Sequence, residues 1–146
     1  MTVTPTAVES LALHHAGFVV AAIEPSYAEA FARSLGAVWD GKVIHDPIQK
    51  AFVTFLRSRG EGQPQIELVA PAAPDSPVTK FLERGGGLHH LCYEVADLDR
   101  CVAEMKSLGA LKAKQPKPAA AFGGRRIAWM LTREKLLVEL LERAAP

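Results

Sequence analysis

Cysteine is scarce in this 146-residue chain: Cys92 and Cys101 are the only two. They lack CxxC spacing, so neither a disulfide framework nor a zinc or redox motif organises the fold, and the thiols fit a reducing compartment. Net charge is nearly absent. Seventeen Lys and Arg against sixteen Asp and Glu leave +1, which argues against a nucleic-acid or membrane-surface partner. No apolar run reaches the length of a membrane span. Residues 1–10 have neither a basic start nor an apolar core, so they read as a lead-in rather than a signal peptide, and a cytoplasmic location is expected. No GxxxxGK[ST], strand–GxGxxG–helix or GxSxG pattern occurs, which removes the common phosphate-cradling loops and the serine-hydrolase elbow. What remains is an ordinary globular balance, 49% hydrophobic and 23% charged, in a chain long enough to bury a core.

What is present in excess is internal repetition. Leu13-His14-His15-Ala16-Gly17-Phe18-Val19-Val20 recurs as Leu88-His89-His90-Leu91-Cys92-Tyr93-Glu94-Val95, with His15 matching His90. Ser34-Leu35-Gly36-Ala37 recurs as Ser107-Leu108-Gly109-Ala110, and Ile66-Glu67-Leu68-Val69 as Val138-Glu139-Leu140-Leu141. The gaps agree: 67 − 15 = 52 and 139 − 90 = 49. The chain therefore reads as one domain over residues 1–146, built from a first module at about 11–70, a linker and short helix at 71–87, and a second module at about 88–142.

Each module reads as βαβββ. In the first, a strand over Leu11–Ala21 precedes a helix over Ser26–Leu35, with Ser26 and Glu29 at capping-box spacing and Gly36 as its stop. Strands follow over Ala37–Ile44, Gln49–Arg57 and Gln65–Ala70, with His45-Asp46-Pro47 as a turn. In the linker Ser76 caps a short helix with Pro77 at its first position, and Gly85-Gly86-Gly87 end it. The second module runs from the Leu88–Val95 strand through a helix over Leu98–Leu108 capped by Asp97. Strands over Ala110–Lys114, Arg125–Thr132 and Leu136–Glu142 complete it, with residues 115–124 as a long loop. Two such modules side by side give an α+β fold: an eight-stranded, curved, partly closed sheet around one cavity, with the helices outside.

His15, Glu67, His90 and Glu139 occupy equivalent places in the two halves. A lone strand histidine is ordinarily a packed or solvated residue, and a lone glutamate a solvated one. Both glutamates, however, sit inside apolar runs, where a carboxylate is costly unless paired or metal-bound. A pseudo-twofold axis would bring the four together, and two imidazoles with two carboxylates suit one divalent ion such as Co, Ni, Mn, Fe or Zn. Because side chains alternate along a strand, His14 and His89 are expected on the opposite face, as structural residues. Gln49 is expected near the cavity mouth. Arg125 and Arg126, with Lys112, Lys114 and Lys117, form either a basic rim for an anion or a solvated charged surface.

The duplicated modules with His15/Glu67 and His90/Glu139 resemble the vicinal oxygen chelate (glyoxalase/bleomycin resistance/dioxygenase) superfamily. The run Asp75-Ser76-Pro77-Val78, Phe81-Leu82 and Gly86-Gly87-Leu88-His89-His90-Leu91-Cys92-Tyr93-Glu94-Val95 is similar to methylmalonyl-CoA epimerases, as is Leu137-Val138-Glu139-Leu140. The resemblance implies a glyoxalase-like fold, His15, Glu67, His90 and Glu139 as ligands of one divalent metal (Co, Ni, Zn or Mn), and Glu139, Glu67 and Gln49 as catalytic or cavity residues. It implies an isomerase that stabilises an enolate on a small carbonyl or acyl-CoA substrate, in a homodimer that binds no nucleic acid and no membrane. The alternatives are a glyoxalase I-like lyase or isomerase, and a non-catalytic small-molecule-binding protein of the resistance type. One departure stands out: an ungapped reading puts Val53 where some epimerases carry a second, proton-transferring glutamate.

Overall fold

Two strands that begin with paired histidines lie antiparallel at the middle of the sheet and join the two halves of the chain. The computed structural model describes Val8 and residues 11–144, so the expected lead-in over residues 1–10 lies, Val8 apart, outside the described residues. The elements are β1 (Ala12–Val19), α1 (Pro25–Ser34), β2 (Val38–Trp39), β3 (Ile44–Asp46), β4 (Ala51–Arg57), β5 (Gln65–Pro71), α2 (Thr79–Glu83), β6 (Gly87–Val95), α3 (Leu98–Ser107), β7 (Leu111–Pro118), β8 (Arg126–Leu131) and β9 (Leu137–Glu142), with a 3-10 turn over Ala120–Phe122. One sheet takes the order β2-β4-β5-β1-β6-β9-β8-β7, with β3 paired to β4. It is curved and unclosed, as expected of two βαβββ modules lying side by side.

The pairing repeats as the sequence does. β1 runs parallel to β5 and β6 parallel to β9; β4–β5 and β8–β9 are antiparallel. Gly36 and Gly109, matched in the repeat, both follow a helix with positive φ, +63° and +95°, the left-handed stop that glycine accepts without a Cβ clash.

Nine strands appear where eight were expected, because Ala37–Ile44 is broken. Asp40 Oδ1 accepts from the Lys42 amide at 2.9 Å and Gly41 has φ +80°. The chain turns there, and β2 and β3 pair separately with β4. His45 and Asp46 belong to β3, and the turn lies just beyond, at residues 47–50. Two caps also differ. Pro25 enters the first turn of α1, so Glu24 is its N-cap and Ser26 lies within the helix without capping it. Likewise α2 starts at Thr79 rather than at Pro77. Asp97 does cap α3, accepting from the Arg100 amide at 3.1 Å. The expected 115–124 loop is shorter, since β7 continues to Pro118 through two register shifts.

Helices cover one face of the sheet. Ala28 and Ala32 of α1 pack on Leu56, Leu68 and Ala70; Leu98, Cys101, Val102 and Met105 of α3 pack on Ala128, Met130, Val138 and Leu140. The other face carries Val53, Val69, Cys92, Ile127 and Leu141. Central strands buried on both faces read as near-continuous apolar runs, and alternation along β5 and β9 then fixes Glu67 and Glu139. With Leu68 and Leu140 under the helices, each glutamate has to face the cavity.

Candidate metal centre

Backbone register sets the site. On β1 and β6, His15 stands opposite Cys92 and Gly17 opposite His90; on the flanking strands, Gly17 stands beside Glu67 and Cys92 beside Glu139. Each histidine thus faces a small residue across the junction, and each glutamate lies one strand further out. The fit at Gly17 is absolute: a Cβ there would lie 2.0 Å from Cε1 of His90. Aromatic rings brace both imidazoles. His15 meets Phe55 edge-on at 5.5 Å and stacks on Phe122 at 5.8 Å; His90 meets Trp129 edge-on at 4.8 Å. Phe55 and Trp129 are themselves the cross-strand neighbours of Glu67 and Glu139.

His15, Glu67, His90 and Glu139 are all buried and converge. Nε2 of His15 lies 3.5 Å from Oε1 of Glu67 and 3.1 Å from Oε1 of Glu139; Nε2 of His90 lies 3.4 Å and 3.5 Å from the same two oxygens. The two Nε2 atoms are 3.3 Å apart. Donors about 2.1 Å from one ion stand roughly 3.0–3.4 Å from each other at octahedral to tetrahedral angles, so these spacings fit a single divalent cation. Oε1 of Glu139 is buried without a well-directed hydrogen bond, the kind of orphaned acceptor a cation satisfies. The donor chemistry agrees: two borderline nitrogens and two hard oxygens neutralise a 2+ charge.

The electrostatics of the four groups are mutual. Burial opposes a charge on His15, but Glu67 and the close approach of Glu139 outweigh it and raise its pKa to about 9. His90 is likewise raised, against burial, by Glu139 and Glu67. Burial would push the carboxylates up, yet the two imidazoles hold Glu139 and Glu67 below the ordinary carboxylate range. Without a cation, the carboxylates favour the charged form of each imidazole and the imidazoles favour the charged form of each carboxylate. A competing group, His14, His15 and Cys92, also comes together. Burial and the nearby Glu139 push the Cys92 thiol far up, so it is a protonated, poor donor.

Glu67, His90 and Glu139 form the floor of a cavity of about 180 Å³ whose walls include Val53, Val69, Val78, Phe122, Ile127 and Trp129, and His15 lies buried against them. Gln49 lines its mouth from the 47–50 turn rather than from a strand. Val53 is a wall residue between Ile44 and Val69. Arg125 and Arg126 do not rim the cavity. Arg126 pairs with Glu142 at 2.7 Å and Asp99 at 3.0 Å; Arg125 reaches Glu94 and the carbonyls of Phe122 and Glu142. Of the basic residues expected there, Lys114 alone lines it.

His14 and His89 depart from expectation. The β1–β6 register skips His14, between the Leu13 and His15 pairs, and skips His89, between the Gly17 and Phe18 pairs. Each is the extra residue of a bulge, which breaks alternation and swings it toward its neighbour's side. His89 lines the cavity, and His14 packs on Phe122 and Phe55. The doubled histidine in both repeats was the available signal. Sequence reasoning also passed over Asp46, a buried cavity residue. Its Oδ1 accepts from the amides of Ile48 and Gln49, both at 3.0 Å, and its Oδ2 from the Ala120 amide at 3.0 Å. It ties the mouth of one module to the mouth of the other.

Residues 14–129 match the glyoxalase/bleomycin resistance protein/dioxygenase superfamily. The chain is 30% identical over 132 residues to an ethylmalonyl-CoA/methylmalonyl-CoA epimerase of Cereibacter sphaeroides, covering 88% of this chain and 95% of that one. It is 31% identical over 96 residues to the mitochondrial methylmalonyl-CoA epimerase of Mus musculus, where it spans about half (51%) of the relative. Among solved structures, the methylmalonyl-CoA epimerase of Mycobacterium tuberculosis superposes with a TM-score of 0.77 at 28% identity, over 92% of this chain and 89% of that one. Repeat, fold, site register and relatives agree: the chain belongs to the glyoxalase/bleomycin resistance protein/dioxygenase superfamily.

Proposed function

We propose that this chain is a divalent-metal-dependent, methylmalonyl-CoA epimerase-like enzyme that moves the acidic proton beside the carbonyl of a short acyl-CoA. The observation that carries the reading is the buried, converging His15–Glu67–His90–Glu139 cluster at the floor of a cavity with largely apolar walls. The similarity to an acyl-CoA epimerase along nearly its whole length supports the substrate class.

These four side chains would hold the ion. When bound, the ion supplies Lewis-acid stabilisation of the negative charge that develops on a carbonyl oxygen as the adjacent proton leaves. The chain's own residues do the rest. A cavity of about 180 Å³ suits a short acyl group rather than a whole coenzyme, so the nucleotide end stays outside. The apolar walls exclude water from the reacting carbon. Glu139 takes the proton, and Gln49 at the mouth orients the substrate or a water. Return of the proton on the other face requires a second donor, and Val53 cannot be one. Glu67 or a water held by Gln49 serves instead.

Val53 favours one second reading, a glyoxalase-type isomerase on a thiol-derived adduct, for which a single base suffices. Metal analysis of purified protein, followed by deuterium exchange from solvent into methylmalonyl-CoA, separates the two. Metal retention with exchange is the expected result. Retention without exchange into any acyl-CoA, but with turnover of a thiol adduct, supports the second reading. Replacement of His90 by Ala is expected to abolish metal retention, because it deletes one donor and leaves two carboxylates facing each other.

A further inference from the structure

Each half of the repeat spends a bulge on a histidine. His14 on β1 and His89 on β6 are both skipped by the pairing register, and both end in the same contact. Nδ1 of His14 lies 2.7 Å from Nδ1 of His15, and Nδ1 of His89 lies 2.8 Å from Nδ1 of His90. A bulge residue that merely filled space would not make the same nitrogen–nitrogen contact twice. Neighbouring rings hold the pair in place: His14 is edge-on to Phe122 at 5.4 Å, and His89 edge-on to Phe81 at 4.8 Å.

A contact between two ring nitrogens needs one proton, and the site decides whose it is. The Nε2 atoms of His15 and His90 face Glu67 and Glu139. A neutral His15 or His90 can offer that Nε2 as a donor to a cation only if its own proton sits on Nδ1. That Nδ1–H then has to donate, and the atom within reach is Nδ1 of the preceding histidine. The opposite arrangement would place a proton on Nε2 and close the site to a cation.

We propose that His14 and His89 are positioning residues: each accepts a hydrogen bond at Nδ1 from Nδ1–H of the following histidine, fixing the tautomer and ring angle that turn Nε2 toward the site. The assignment rests on the metal reading given above. Ligand histidines elsewhere are commonly oriented by a carboxylate, carbonyl or water at the second nitrogen; here a second imidazole takes that place in both halves.

Two measurements test it. Nitrogen NMR of the imidazoles in the unaltered, Zn2+-loaded protein is expected to show protonated Nδ1 on His15 and His90 and unprotonated Nδ1 on His14 and His89. In the metal-free protein, where the carboxylates favour fully protonated His15 and His90, the diagnostic signal is unprotonated Nδ1 on His14 and His89. Zn2+ titration is expected to show His89→Phe and His14→Phe weakening binding by roughly 10–100-fold. His89→Asn and His14→Asn, whose Oδ1 stands near the lost Nδ1 as an acceptor, are expected to recover most of the affinity. Phe variants that bind Zn2+ as tightly as the unaltered chain, Asn variants no better than Phe, or a proton on Nδ1 of His14 or His89 would overturn the proposal. If the unaltered chain binds no Zn2+, the metal reading falls, and the nitrogen spectrum decides the hydrogen bond by itself.

Discussion

Gly17 shows how one missing side chain makes room for a functional one. The His90 ring occupies the space a Cβ would take, 2.0 Å from Cε1. Gly17→Ala has no cheap relief, because the clash is with a buried ring that is also packed against Trp129 and His89. Overpacking of this kind costs about 1–3 kcal/mol. The expected outcome is a lowered melting temperature together with metal binding weakened by about tenfold or more, as for a misplaced ligand. Unchanged metal affinity in calorimetric titration would mean that the ring has another place to go. The pH behaviour also belongs to single residues. His15 has a pKa of about 9 against an ordinary 6.5. Its raised value contributes stability to the metal-free fold that is fully present below 6.5 and lost as pH rises through 9. Glu67 and Glu139 are lowered, so their contribution is present above the ordinary carboxylate value and lost as pH falls through their folded values. Metal binding must displace the imidazole protons. Between pH 6.5 and 9 the metal-free protein is therefore expected to lose melting temperature while divalent-metal affinity rises. Parallel melts and titrations across that window check both signs.

At the scale of the element, the strands that carry Glu67 and Glu139 were legible because two rules act on them together. Burial on both faces makes β5 and β9 apolar runs, and the one charged residue in the middle of each run then has to face the cavity. Helix α3 was equally plain, since Asp97 caps it and a glycine stops it. What alternation could not reveal was the pair of bulges at His14 and His89, because a bulge is a property of the pairing with another strand rather than of one strand's own sequence. The break between β2 and β3 was hidden for a related reason: both pieces keep their pairing to β4, and only the Asp40–Lys42 turn between them departs. Asp46 was missed because its partners are backbone amides, which leave no mark in sequence. It also gives the element-scale prediction. Asp46→Ala removes the acceptor of three amides. Water replaces it in part, so the expected loss of stability is about 1–3 kcal/mol. The larger effect is expected on KM rather than kcat, since the 47–50 turn and the Ala120 turn at the mouth separate while the floor stays intact. A fall in kcat at constant KM would place Asp46 in the chemistry instead.

Across the whole molecule, the four proposed ligands lie on β1, β5, β6 and β9, the four central strands, two from each half. The edges carry none of them: at one end β2 has only two residues, and at the other β7 carries Lys112, Lys114 and Lys117 together with Pro116 and Pro118, which blunts edge-to-edge pairing. An ion held at the centre would crosslink the two modules across the β1–β6 junction, and unfolding would have to break that link. A ligand present at about a thousand times its Kd adds roughly 4 kcal/mol to the folded state. For a chain of this length, 1 kcal/mol moves the midpoint by about 2–4 °C. Saturating Co2+, Ni2+ or Zn2+ is thus expected to raise the melting temperature by roughly 8–16 °C, with a chelator reversing the shift and with His90→Ala showing little of it. The shift is also expected to grow from pH 6.5 toward pH 9, because the competing imidazole protons leave over that range. The measurement is a set of thermal melts with and without metal at several pH values. A shift that survives His90→Ala would locate the bound ion somewhere other than the junction between the two modules.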